Sequence, residues 1–134
     1  MKKMILLFTI LFLSACSPQH PSQSTAQANE LIGSWEGGNP NRSCGAMWWT
    51  ITRDTHNYQI TFYSDKERRN PQGLEQGKWW LKDNYYYAIA PEYMSEPDVY
   101  FVEKISNREL RFTSEEFDES GICKEKYQFT DTKV

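Results

Sequence analysis

Leu31-Ile32-Gly33-Ser34-Trp35-Glu36-Gly37 is the point at which the chain changes character. The polar residues before it lack apolar periodicity, whereas short aromatic-rich stretches bounded by turn residues follow it to the C-terminus. Gly33 lets the backbone bend or approach a neighbour where a side chain would interfere. Trp35, two positions on, points to the same face and is large enough to fill the base of a core. The stretch therefore reads as the first strand of a β domain.

Downstream, runs of four to nine residues rich in aromatic and β-branched types predict eight strands. They lie near 31–36, 46–52, 57–63, 74–82, 85–90, 99–105, 109–113 and 122–130. No stretch beside them carries a helical period, so the expected class is all-β. Alternation places Met47, Trp49 and Ile51 on one face, with Tyr58, Ile60 and Phe62, then Trp79 and Leu81. It continues through Val99, Phe101 and Ile105, Leu110 and Phe112, and Tyr127 and Phe129. Trp48, Tyr63, Trp80, Tyr86 and Tyr100 fall on the opposite faces.

The connectors carry topology. Those at 53–56, 83–84 and 106–108 are short and rich in Asp, Asn or Ser, whereas those at 37–45, 64–73, 91–98 and 114–121 are long. Strict alternation of short and long predicts an up-and-down meander with every long loop at one end. Closure of strand eight onto strand one then gives an eight-stranded antiparallel barrel, free of exposed sheet edges.

At the N-terminus, Lys2 and Lys3 precede an apolar run, Met4 to Leu13, too short for a stable membrane span. Leu13-Ser14-Ala15-Cys16 resembles the lipobox of bacterial lipoproteins. The resemblance implies that residues 1–15 are removed as a signal peptide and that Cys16 is acylated. Two or more acyl chains make attachment effectively lasting. Ser17, where an Asp retains enterobacterial lipoproteins at the inner membrane, implies the periplasmic face of the outer membrane. In a Gram-positive cell the implied place is the outer face of the plasma membrane. Residues 16–30 read as the lipidated cysteine and a flexible tether, and 31–134 as the barrel domain.

Loss of two lysines and no acids with residues 1–15 shifts the formal charge from −3 to −5. That balance argues against a general nucleic-acid binder. The two remaining cysteines of an exported domain, Cys44 and Cys123, read as a disulfide at the long-loop end, beside the barrel's closure. Their spacing suggests no metal site, and no cofactor motif is present.

Gly33-Ser34-Trp35 matches the Gly-x-Trp signature of the first strand of lipocalins and related calycin barrels. The chain is shorter than full lipocalins, lacks a C-terminal helix and offers no clear arginine to stack on Trp35. It is more similar to the compact lipocalin-like domains of bacterial lipoproteins and, in outline, to small calycin-type inhibitors of secreted metalloproteases. The resemblance implies a carrier of a small apolar ligand, but the bulky inward residues favour a filled interior.

No nucleophile–base–orienter constellation is recognisable, and His56 reads as an exposed turn residue, so an enzyme is not expected. The long loops offer Arg68, Arg69, Tyr93, Met94 and Phe117 as a candidate binding end. The expected function is a lipid-anchored, non-catalytic binding or assembly module of the envelope, with a membrane and another envelope or secreted protein as partners. A small-ligand carrier and an inhibitor or immunity protein against a secreted hydrolase are the alternatives.

Overall fold

The computed structural model describes residues 25–42, 45–115 and 126–134. Eight antiparallel strands close into a barrel in sequence order. They are β1 (Gly33–Asn39), β2 (Met47–Arg53), β3 (Asn57–Tyr63), β4 (Pro71–Lys82), β5 (Tyr85–Ile89), β6 (Asp98–Ser106), β7 (Glu109–Ser114) and β8 (Gln128–Lys133). A four-residue helix, α1 (Ala28–Leu31), precedes them. Closure is by β8 against β1, with Trp35 opposite Lys133 and Gly37 opposite Asp131. The alternation of short hairpins and long connectors holds, so the long loops share one end.

Several local readings change: β1 runs Gly33–Asn39 rather than 31–36 and β4 begins at Pro71 rather than 74, because Gly37-Gly38, Pro71 and Gly73 read by type as turn residues. β8 starts at Gln128 rather than 122, and it runs on to Lys133 rather than stopping at 130, an extension hidden in the sequence because the inward position after Phe129 is the acidic Asp131, which breaks the apolar pattern. On β6 the inward residues are Tyr100 and Val102, while Ile105 is exposed. Val99/Phe101 and Tyr100/Val102 are equally apolar, so period-two alternation does not choose between faces there. Tyr86 also points inward rather than out, stacking on Trp79 with ring centroids 5.9 Å apart. Trp80 does lie on the outer face, stacked on Tyr87 at 5.3 Å.

The expected tether becomes structure from Thr25 onward. Thr25 bridges to Glu103 in antiparallel sense, Ala26 is buried, and the Gln27 amide donates to the Glu30 carboxylate at 2.8 Å. Glu30 pairs with Lys104, and that hydrogen bond, with the one from Gln27, holds its pKa below the usual carboxylate value. Leu31 is fully buried, and its carbonyl accepts the Trp35 indole N–H at 3.0 Å. Lys133 Nζ lies 5.6 Å from the centre of the Trp35 ring, a cation–π contact supplied by a lysine. Because β6 runs toward the 107–108 hairpin, antiparallel Thr25 enters from the short-hairpin end.

Leu31 thus acts as a plug beneath the barrel. Leu31→Ala is expected to lower stability by about 3 kcal/mol. Ile32→Ala, at a site 36% exposed, is expected to cost less than about 1 kcal/mol. Urea unfolding midpoints of the two variants check the contrast.

Candidate functional site

β1, β2 and β8 place three inward positions side by side: Trp49 opposite Gly37, and Gly37 opposite Asp131. Gly37 carries no side chain, so the Trp49 indole passes over β1 and donates from Nε1 to Asp131 Oδ1 at 2.9 Å. A Cβ at Gly37 would overlap both of those atoms. The absence of a side chain is therefore required by a close approach, with no unusual φ involved.

The other Asp131 oxygen accepts from Arg53 Nη2 at 2.9 Å, and the Arg53 Nε–H donates to the Tyr86 hydroxyl at 3.1 Å. Arg53 and Asp131 are 2% and 0% exposed. Such a pair is tolerated in a core only when each charge is matched and hydrogen-bonded. Burial disfavours the charged guanidinium, but Tyr86 and Asp131 outweigh it and raise the Arg53 pKa further, so it stays protonated. The guanidinium also lies 5.0 and 5.5 Å from the ring centres of Tyr86 and Phe112. Its Nη1 has no partner among the described residues.

Arg53 and Tyr86 line the floor of an interior cavity of about 120 Å³. Aromatic rings from β2, β3, β5, β6 and β8 make its walls, and Trp49 meets Phe129 edge-on at 5.0 Å. Glu75 and Asp98 are the acidic residues of the lining, and Asp98, at the start of β6, is exposed at the long-loop end. Tyr58 donates its hydroxyl to Glu75 at 2.6 Å. Burial, reinforced by that carboxylate, holds the Tyr58 phenol protonated; burial and the charge of Asp98 do the same for Tyr100. Above Lys78, β4 runs on to Pro71 paired with β3 and without a β5 partner, leaving Glu75 beside the mouth. The interior is thus largely filled, as the bulky side chains suggest, but it keeps one small polar-floored chamber.

The residues read as a binding end divide. Arg68, with φ 57°, donates to the Trp49, Gly37 and Lys66 carbonyls at 3.0, 2.9 and 3.2 Å, fastening its loop to β1 and β2. Arg69 is exposed on that loop, whose backbone amides at Arg69 and Asn70 donate to Asp65. Tyr93 is 71% exposed, while Met94 turns back so that its Sδ accepts from the Ala90 amide at 3.4 Å. Phe117, Cys16 (expected to be lipidated) and Cys44 and Cys123 (expected to form a disulfide) lie outside the described residues. Gly33, with φ 118°, adopts a backbone that favours glycine, and Trp35 is buried at the hairpin end. His56 is an exposed hairpin residue whose amide donates to Asp54. A wider groove of about 590 Å³ runs along the outside past Thr52, Gln59, Gln76 and Lys78, which face solvent.

Arg53 and Asp131 were not among the residues picked from sequence. The signal was present: each is the next inward position after an apolar pair, Trp49/Ile51 and Tyr127/Phe129, and they carry opposite charges. No protein-family model, curated protein or solved structure matches the chain. The class defined by fold and site is a closed eight-stranded up-and-down barrel, plugged at one end and holding a small chamber that opens toward the other.

Gly37→Ala is expected to cost about 3 kcal/mol, since it overpacks the core and separates Trp49 from Asp131. Trp49→Phe, which leaves an Asp131 oxygen unpaired, is expected to cost about 2 kcal/mol. Guanidinium denaturation at neutral pH measures both.

Proposed function

We propose that the chain is an exported, lipid-anchored and non-catalytic binding module of the cell envelope, attached through Cys16 and working through its long-loop end. On this reading it sits on the periplasmic face of the outer membrane, or on the outer plasma-membrane face in a Gram-positive cell. The supporting observation is the polarity of the barrel. The chain enters from the short-hairpin end, which Leu31 plugs, whereas the long loops and the mouth of the chamber lie at the other end.

Residues 16–24, as a coil, would span roughly 15–20 Å. The hairpins at 54–56, 83–84 and 107–108 would then face the lipid, and Arg69 and Tyr93 would face away. Arg69 is held on a loop braced by Asp65 and Arg68, so a partner meets a preorganised surface. A chamber of about 120 Å³ is far below the usual size of a drug-sized ligand site, which weighs against a carrier of long acyl chains.

Two expected outcomes test the reading. Cys16→Ala should release the protein from the membrane fraction; retention there with unchanged processing would contradict the anchor. In lipidated protein on vesicles, a fluorophore attached through Asp83→Cys should be quenched by a headgroup-bound quencher more strongly than one attached through Tyr93→Cys. Equal or reversed quenching would contradict the orientation.

A further inference from the structure

The outside of the barrel is not the same all round. On β4, β5 and β6 the outward positions fall into cross-strand rows: Lys78 beside Ile89, then Trp80 beside Tyr87 and Val99, then Lys82 beside Tyr85 and Phe101. Trp80 stacks on Tyr87 with ring centroids 5.3 Å apart, and Tyr85 meets Phe101 edge-on at 5.7 Å. The aromatic and aliphatic members make one continuous panel, in which Trp80 stays 41% exposed. Across the barrel, on β1 and β2, the outward positions toward the hairpins are Ser34, Glu36, Thr50 and Thr52. A contiguous apolar panel confined to one side of a small barrel marks a contact surface.

The chain enters beneath that same panel. Glu103 of β6 pairs with Arg111 on its β7 side, so Thr25, bridged to Glu103, lies on its β5 side. Just above, the Val102 amide donates to the Asn84 carbonyl at 3.0 Å, where the 83–84 hairpin ends β5. Thr25 therefore takes the next place in line below Tyr85 and Phe101. Nine residues, 16–24, precede it, and even fully extended they reach at most about 30 Å. An anchor at Cys16 thus holds this side of the barrel closest to the lipid.

The composition of the panel suits such a neighbour. Trp and Tyr rings, apolar in body and polar at the tip, are favoured at the headgroup level of a bilayer. Lys78 and Lys82 flank Trp80 on the same face, are exposed, and can extend their ammonium groups to lipid phosphates. Of the neighbouring acids, Glu103 lies opposite Arg111, and Asp83 follows Lys82 in the hairpin. We propose that, in the protein anchored through Cys16, the β4–β6 wall rests in the phospholipid headgroup layer. The barrel then leans onto this side instead of standing upright on its three hairpins. The lean rests on the anchor at Cys16 and adds to it the face that touches the lipid.

Two fluorophore positions separate the orientations. Thr52 is two residues from the 54–56 hairpin and Tyr87 three from the 83–84 hairpin, so an upright barrel puts Thr52 at least as near the lipid. The full chain, left to the cell for processing, is reconstituted on vesicles of phosphatidylethanolamine and phosphatidylglycerol and labelled through Tyr87→Cys or Thr52→Cys. Only protein that floats with the vesicles is read. A headgroup-bound quencher should act on the Tyr87→Cys label at least about twofold more strongly. Trp80→Ser combined with Lys82→Glu, both at exposed positions, should abolish that difference while the unfolding midpoint stays within about 5 °C. If the double variant does not fold, the two labels in the parent chain still decide. Absence of flotation would contradict the anchor, and the lean with it. Equal quenching in floated protein, or stronger quenching at Thr52→Cys, would overturn the lean alone. So would a difference that survives the double variant. Self-quenching confined to the Tyr87→Cys label would place a second copy on the wall and overturn it as well.

Discussion

Asp131 is the side chain around which this barrel closes. It sits on the last strand, fully buried, and accepts from Trp49 with one oxygen and from Arg53 with the other. A buried carboxylate without partners would cost several kcal/mol, so its two donors are a condition of folding rather than an ornament of it. Both come from β2, which does not neighbour β8; β1 lies between them. The contact therefore forms only when the first two strands and the last are in register, and only because Gly37 leaves room above β1. A slip of β8 by one residue would turn Asp131 outward and strand Arg53 in the core. An ion pair of this kind contributes little net stability compared with apolar packing, but it discriminates strongly against wrong registers.

The same geometry shapes the interior. Below the pair, Leu31, Trp35, Val102 and Leu110 are packed without exposure to solvent beyond a few per cent. Above it, Tyr86 and Phe112 flank the guanidinium. The pair thus divides the barrel into an apolar base, closed by the N-terminal segment, and an aromatic chamber with an acidic mouth. On the proposed reading, one end of the fold serves attachment and the other recognition, a division that follows from chain direction and loop length.

Much of the fold was legible in the sequence because hydrophobic alternation and connector length are local signals. β3 lies at 57–63 as read, the short hairpins fall where Asp, Asn and Ser cluster, and closure of β8 on β1 follows from the meander. Faces were harder to read where neighbouring residues are all aromatic. Tyr85-Tyr86-Tyr87 and Val99-Tyr100-Phe101-Val102 give either parity equal apolar content, so cross-strand packing decides. The segment 25–30 looked like coil because its anchoring contacts, Thr25 to Glu103 and Glu30 to Lys104, are about seventy or more residues apart and leave no local trace. The floor of the site was missed for a related reason: a charge at an inward position looks like the end of a strand until its opposite partner is found. Arg68 reads as a binding residue from its charge and its place on a long loop, and the sequence gives no sign that its hydrogen bonds to strand carbonyls also make it a brace for that loop.

The central claim is that Arg53 and Asp131 act as one buried unit. A double-mutant cycle with Arg53→Met and Asp131→Asn tests it most directly, because Asn keeps an acceptor for the Trp49 indole. The single changes each leave an unmatched buried charge and should cost about 3–5 kcal/mol. The double variant removes both charges together and should be more stable than the sum of the singles implies, by at least about 2 kcal/mol. Additive losses, within about 0.5 kcal/mol of that sum, would contradict the account.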